Sequence, residues 1–224
     1  MPSLKIKNIT INAIIFDFNG TLARLNIDFQ QMRRAVFDLI SSYNINPAEL
    51  PSDHILEIIH HVSGILNTKS GTAALSFTSN AYEIIEQQEI AAARNGGLFG
   101  RTRDLLARLA ACGIRTAIIT RNCTAAINIE FPDIVSYCPV VICRDQVKNV
   151  KPHPDHLNKA LNLLAVSPDS SLMVGDHPLD IKTGKIGGTL TAGVLTGNFS
   201  ANDFLQSGAD IVLPEATDIL DMLQ

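Results

Sequence analysis

The stretch that most limits what this chain can fold into is the nearly all-apolar run from Ile11 to Phe16, which ends at Asp17 and continues as Phe18-Asn19-Gly20-Thr21-Leu22. Such a run reads as a strand covered on both faces, the situation of strands in a parallel sheet flanked by helices. Asp17 then stands at the carboxyl edge of that strand, and open α/β sheets bind ligands in the crevice outside those edges. Gly20 lets the chain turn sharply there without a Cβ penalty. By itself Asp17 is equally well a loop starter.

The rest of the chain continues the same alternation. Residues 114–119, 140–143, 172–174, 190–195 and 211–213 read as further apolar strands. Between them lie helical patterns at 101–112, with Leu105, Leu106 and Leu109 on one face and Gly113 as a stop, and at 125–129 and 155–165. Asp155 suits a helix start electrostatically, and Pro178 suits a first helical turn. Strands alternating with helices predict an α/β fold, a doubly wound parallel sheet of Rossmann-like type. One long interruption follows the first strand. Asp28 is a plausible N-cap for a helix with Phe29, Met32, Val36, Leu39, Ile40 and Tyr43 at helical spacing. Pro47 and Pro51 break the chain, Ser52 or Asp53 caps a second helix, and a third runs over 72–94 to Asn95-Gly96-Gly97, which offers glycine C-cap chemistry. The expected organisation is a core of 1–22 and 98–224 with an all-helical insert over 23–97.

Composition narrows the function classes. A net charge of −4 gives no reason to expect nucleic acid as a partner. No apolar run reaches the roughly 18 residues that suggest a membrane span, and residues 1–12 lack a secretory signal pattern, so a cytoplasmic location is expected. The cysteines Cys112, Cys123, Cys138 and Cys143 form no C-x-x-C pair and suit a reduced compartment. Cys138 and Cys143 read as small core residues. Neither a dinucleotide fingerprint nor a P-loop occurs.

Three later segments give Asp17 its context: Thr116-Ala117-Ile118-Ile119-Thr120, Lys151-Pro152-His153-Pro154, and Val174-Gly175-Asp176-His177-Pro178-Leu179-Asp180. In this order, with the first segment, they resemble the haloacid dehalogenase-like superfamily, whose members are mostly phosphatases. Its pattern is a strand with Asp-x-Asp-Gly-Thr, a strand ending in Thr or Ser, a Lys, and a strand with Gly-Asp-x-x-x-Asp. The resemblance spans nearly the whole chain and makes the helical insert a cap over the active site. It implies a phosphatase of a small phosphorylated metabolite, similar to the phosphoglycolate phosphatase branch, acting as monomer or homodimer.

The residue roles that follow are those the resemblance implies. Asp17 is the nucleophile that forms an aspartyl phosphate. Asp17, the main-chain carbonyl of Asn19, and Asp176 hold Mg²⁺, with Asp180 ordering the metal site. Thr120 and Lys151 grip the phosphoryl group. Physical chemistry agrees with this set. Two unit charges of like sign about 4 Å apart repel by roughly 1 kcal/mol in water and about 4 kcal/mol at an effective dielectric of 20, so carboxylate attack on a phosphate needs cations. Mg²⁺ prefers oxygen ligands and shares its sphere with substrate and water. Gly20, Arg121, Asn122 and Arg24 are further candidates for substrate contact, an Arg fork being suited to a second anionic group.

One position departs from the pattern. The usual second Asp, which protonates the leaving oxygen and then activates water, is Asn19. Loss of a general acid–base costs about 10²–10⁴ in rate. Asn19 leaves three readings open: a substituted Asp, natural loss with a phosphometabolite-binding or regulatory role, or another proton route. Asn19-Gly20 is also a dipeptide prone to deamidation. Dehalogenation, the superfamily's other chemistry, needs no metal, and the Asp176/Asp180 pair speaks against it. His153 and His156 look like half a metal site but fit better as loop and helix-start residues, while His177 could face substrate.

Overall fold

In the computed structural model of the chain, residues 2–51 and 54–224 are described; the Ser52/Asp53 cap lies outside them. The chain divides into two compact units, Met1–Leu25 with Asn95–Gln224, and Asn26–Arg94.

The first unit opens with an antiparallel hairpin, β1 (Leu4–Ile6) and β2 (Ile9–Ile11). Lys7 and Asn8 form its tip with φ of 50° and 65°. Both lie in the left-handed region that two-residue hairpin turns require. The apolar run at 11–16 is therefore two strands: Ile11 closes the hairpin and β3 is Ala13–Phe16. The sheet continues with β4 (Arg115–Ile119), β5 (Val140–Ile142), β6 (Ser171–Gly175), β7 (Leu190–Val194) and β8 (Ile211–Leu213). Every pairing among these strands is parallel, and their order is β5-β4-β3-β6-β7-β8. The chain moves outward from β3 to β5, then returns to the other side of β3 as β6. The strand order thus reverses between β3 and β6, which opens a crevice at their carboxyl ends.

All four residues of β3 are fully buried, because successive side chains point to opposite faces and both faces are covered. Ile14 and Phe16 pack with Ile118, Leu172 and Val174 beneath Leu105, Leu106 and Leu109 of α4 (Thr102–Ala111). Ala13 and Ile15 pack with Ala117, Ile119 and Met173 against Leu157, Ala160, Leu161 and Leu164 on the other face.

Among its described residues the second unit contains helices and no strand. Its long elements are α1 (Phe29–Ser42), α2 (Ile55–Asn67) and α3 (Gly71–Arg94). Asp28 caps α1 as expected, its carboxylate accepting from the Gln31 N–H at 2.8 Å. Both α1 and α2 pack on α3, and Tyr43 meets Phe77 edge-on with ring centroids 5.5 Å apart.

Back in the first unit, α5 (Thr124–Glu130), α6 (Ile134–Tyr137), α7 (Pro154–Leu164), α8 (Pro178–Gly187) and α9 (Ala201–Gln206) follow α4. The two segments of this unit that lead to and from residues 26–94 are bonded to each other. Arg24 N–H donates to Gly97 O at 3.0 Å and Phe99 N–H to Leu22 O at 3.0 Å, with Ala23 and Leu98 in an antiparallel bridge. Gly97 serves this ribbon rather than a left-handed helix cap; the positive-φ glycines among the described residues are Gly20, Gly113, Gly188 and Gly208.

Candidate active site

Parallel register brings the chemistry together. Phe16 is level with both Ile118 and Val174, so Asp17, Thr120 and Asp176 all leave the sheet at the same edge, on either side of the strand-order reversal. Asp17 N–H is still held by Val174 O at 2.8 Å. Ligand-type oxygens of Asp17, Asp176 and Asp180 lie within 4.8 Å of one another.

Lys151, from the loop between β5 and α7, reaches into this cluster. Its Nζ is 2.7 Å from Asp17 Oδ1 and 2.6 Å from Asp180 Oδ1, with only 3% of the side chain exposed. Its main-chain N–H donates to Nδ1 of the buried His156 at 3.2 Å, and Arg121 Nη1 donates to its carbonyl at 3.2 Å.

Short-range geometry explains the residue types. Asp180 sits in the first turn of α8, where His177 N–H donates to its Oδ2 at 3.2 Å. A Cβ on Gly175 would stand 2.2 Å from that same oxygen, so the glycine preceding Asp176 makes room for Asp180. Asp176 is wedged between two loops: a Cβ on Gly20 would come within 2.1 Å of its Oδ2, and one on Gly197 within 2.2 Å. Gly20 also has φ +84°, closing the tight turn in which its N–H donates to Ala23 O at 2.7 Å. Thr21 Oγ1 donates to Asp176 Oδ1 at 3.2 Å. Thr120, buried, accepts from the Asn122 N–H at 3.2 Å; a hydroxyl so engaged keeps its own proton to donate. Asn19 Oδ1 is enclosed and lacks a hydrogen-bond partner among the described residues.

The charges do not balance within the protein. One ammonium faces three carboxylates. Burial raises the Asp17 pKa, with Lys151 opposing and Asp180 adding to the effect. Burial, then the charges of Asp17 and Asp180, push Asp176 up to about 8. Burial works against the charge on Lys151, but Asp17 and Asp180 outweigh it and its pKa is raised. An all-oxygen donor set short of positive charge fits a hard divalent cation.

Of the residues singled out in the sequence, Asp17, Lys151, Asp176 and Asp180 are joined by these contacts, with Thr120 at the adjoining strand end. Asn122 is buried and holds the Cys123 N–H through Oδ1 at 3.2 Å. Arg24 has an exposed side chain, and its main chain belongs to the connecting ribbon. His177 stacks edge-on against Phe199, centroids 4.4 Å apart. The contact of His156 with Lys151 was not foreseen; a five-residue offset across a proline loop carries no periodic signal.

The comparisons agree with this geometry. The profile of the family described as haloacid dehalogenase-like hydrolase matches residues 14–194. A Bacillus cereus protein named pyrophosphatase PpaX is 27% identical over 225 residues, covering 95% of this chain and 96% of that protein. A haloacid dehalogenase-like hydrolase domain-containing protein of Arabidopsis thaliana is 31% identical over 215 residues, covering 92% of this chain and 82% of its own. Among solved structures, a hydrolase from Pseudomonas syringae superposes with a TM-score of 0.68 at 19% identity, covering 94% and 96% of the two chains. A predicted phosphoglycolate phosphatase from Haemophilus somnus does so with 0.65 at 17%, covering 95% and 97%. With the sheet order, the four motif segments and the profile match in agreement, the chain belongs to the haloacid dehalogenase-like hydrolase family.

Proposed function

We propose that the protein is a Mg²⁺-dependent phosphatase of a small phosphorylated metabolite, with Asp17 as nucleophile. The observation that carries this reading is the Lys151 ammonium bonded to Asp17 and Asp180 beside Asp176, at the reversal of the sheet. Lys151 opposes the effect of burial on Asp17 and presents a positive charge to an incoming phosphate. A carboxylate oxygen of Asp17 attacks phosphorus, the bond from phosphorus to the ester oxygen breaks, and that oxygen leaves with the bonding pair. Thr120 donates a hydrogen bond from its hydroxyl to a phosphoryl oxygen. Water then cleaves the aspartyl phosphate. Asp17, Asp176 and the carbonyl of Asn19 would hold Mg²⁺, with Asp180 behind them; the ion supplies the positive charge that lets two anions approach. The unit Asn26–Arg94 is read as the cap that selects the substrate. The names of the relatives make pyrophosphate and phosphoglycolate the first candidates to try.

Asn19 can neither protonate the leaving oxygen nor deprotonate water. A leaving group that needs no proton, such as nitrophenolate, should still depart and phosphorylate Asp17, whereas alkyl phosphates should react far more slowly. The expected record is a burst of nitrophenolate followed by slow turnover. Asn19→Asp should raise steady-state turnover by roughly 10²–10⁴. A phosphometabolite screen on both forms, with mass spectrometry to exclude deamidation, tests this. If Asn19→Asp leaves every alkyl phosphate untouched, the second reading that Asn19 favours takes over: a phosphometabolite-binding or regulatory relative.

A further inference from the structure

Lys151 lies on a loop, and a four-carbon stem on a loop reaches a defined point only if its main chain is pinned. Two side chains do this. His156, in the first turns of α7 and fully buried, accepts the Lys151 N–H at Nδ1, 3.2 Å away. Its Nε2 lies 2.9 Å from Ile142 O at the end of β5. The same carbonyl accepts the Thr120 N–H at 3.1 Å, using its second lone pair. Arg121, next to Thr120, donates from Nη1 to Lys151 O at 3.2 Å. Arg121 is anchored in turn: Arg144 Nη1 donates to its carbonyl at 2.8 Å, and the Arg144 N–H to Asn122 O at 3.0 Å. The Thr120 strand end and Lys151 are thus tied together twice, once through His156 and once through Arg121.

The ring's protonation state follows from its partners. A main-chain N–H can only donate and a carbonyl can only accept, so Nδ1 is bare and Nε2 carries the proton. The ring must be neutral for both bonds to exist.

We propose that His156 and Arg121 are positioning residues that clamp the main chain of Lys151 and so set where its ammonium stands relative to Thr120 and Asp17, and that protonation of His156 opens one arm of the clamp. Only the consequence for phosphate binding rests on the phosphatase reading. A proton on Nδ1 would face the Lys151 N–H with no acceptor between them. Burial, then the charges of Lys151, Lys159 and Arg121, hold the ring pKa down to about 4, while its bond to Ile142 works the other way. The clamp is therefore closed at neutral and mildly acidic pH.

Two substitutions separate clamping from mere packing. His156→Gln keeps a donor near the Nε2 position but leaves no acceptor at the Nδ1 position that faces the Lys151 N–H. His156→Asn keeps an acceptor near the Nδ1 position. Lys151 amide exchange should be slow in wild type, accelerated in His156→Gln and slow again in His156→Asn. Affinity for inorganic phosphate, read by calorimetry at neutral pH with Mg²⁺, should fall about 10-fold in His156→Gln, as for loss of one hydrogen bond, and recover in His156→Asn. Wild-type exchange in both variants, or equal acceleration in both, overturns the clamp. Should neither variant fold, ring nitrogen shifts of the wild type decide: a cationic or Nδ1-protonated His156 at neutral pH overturns the proposal, and a neutral Nε2-protonated ring down to about pH 5 supports it. If the wild type binds no phosphate, the phosphatase reading fails, while amide exchange and the ring tautomer still judge the clamp.

Discussion

Replacing Lys151 with Met, a side chain of similar length, would strip the only ammonium from the contacts between Asp17 and Asp180 described here. Removing one partner of a buried ion pair costs about 3–5 kcal/mol, because the other charge stays behind. The cluster has a cheaper escape. Asp17, whose pKa burial already raises, can take up a proton instead. Taking up that proton costs about 1.4 kcal/mol for each pH unit above an unfolded carboxylate pKa of about 3.9. The penalty is therefore capped at roughly 5 kcal/mol at pH 7.5 and at roughly 1.5 kcal/mol at pH 5. The sign follows from proton counting. The variant's folded state binds more protons than its unfolded state above the unfolded pKa, so its deficit grows as pH rises. Urea unfolding with chelator present measures it, followed by far-ultraviolet circular dichroism because the chain has no Trp. A deficit of the same size at pH 5 and 7.5 would mean that Met packs badly, and the electrostatic account would be wrong.

Four further outcomes are expected. Mg²⁺ at about 100 times its dissociation constant should stabilise the wild type by about 2.7 kcal/mol, and Asp176→Asn should lose most of that shift; an equal shift in both puts the ion elsewhere. In chelator, the Asp176 pKa of about 8 against an ordinary 3.8 means that wild-type stability declines on the order of 1 kcal/mol per pH unit as pH rises between those values, and melting curves of Asp176→Asn should show a flatter profile. Gly20→Ala combines φ +84° with a Cβ 2.1 Å from the Asp176 carboxylate, so it should cost about 1–3 kcal/mol and abolish the Mg²⁺ shift; an unchanged shift refutes the wedge. Asp210 accepts from Lys7 at 2.8 Å, Lys185 at 2.6 Å, and the Thr191 N–H and hydroxyl at 2.8 and 3.0 Å; Asp210→Ala should cost about 1–3 kcal/mol and speed proteolysis of the hairpin at 4–11, and unaltered cleavage would show that the Lys7–Asp210 pair does not hold the hairpin in place.

Legibility in the sequence followed burial on both faces. β3, β4 and β6 stood out because parallel strands under helices carry unbroken apolar runs, and each ended in the polar residue now seen at the crevice. The hairpin β1–β2 carries a weak signal although Leu4, Ile6, Ile9 and Ile11 alternate with polar neighbours; its Lys7-Asn8 tip lacks the glycine that usually marks such turns. The helices α6 and α9 are too short, at 4 and 6 residues, to repeat a helical period. Within the site, Asp17, Lys151, Asp176 and Asp180 could be singled out because their segments, taken in order, resemble a family pattern, and the structure brings their side chains together. The partners of Lys151 were not, since they join three segments through main-chain groups that leave no mark on residue type.

The bonded ribbon of residues 22–24 and 97–99 has a consequence for how this chain can be rebuilt. Its two sides are already in hydrogen-bond contact where the polypeptide leaves for residues 26–94 and where it comes back. A two-residue turn of the kind that closes hairpins could join them directly. The sheet unit would then be one uninterrupted chain, and the helical segment an exchangeable cassette. Such a minimal protein should fold, and on the proposed phosphatase reading it should keep a Mg²⁺ response while losing discrimination among phosphate esters; helical segments from relatives spliced at the same two positions would test that reading.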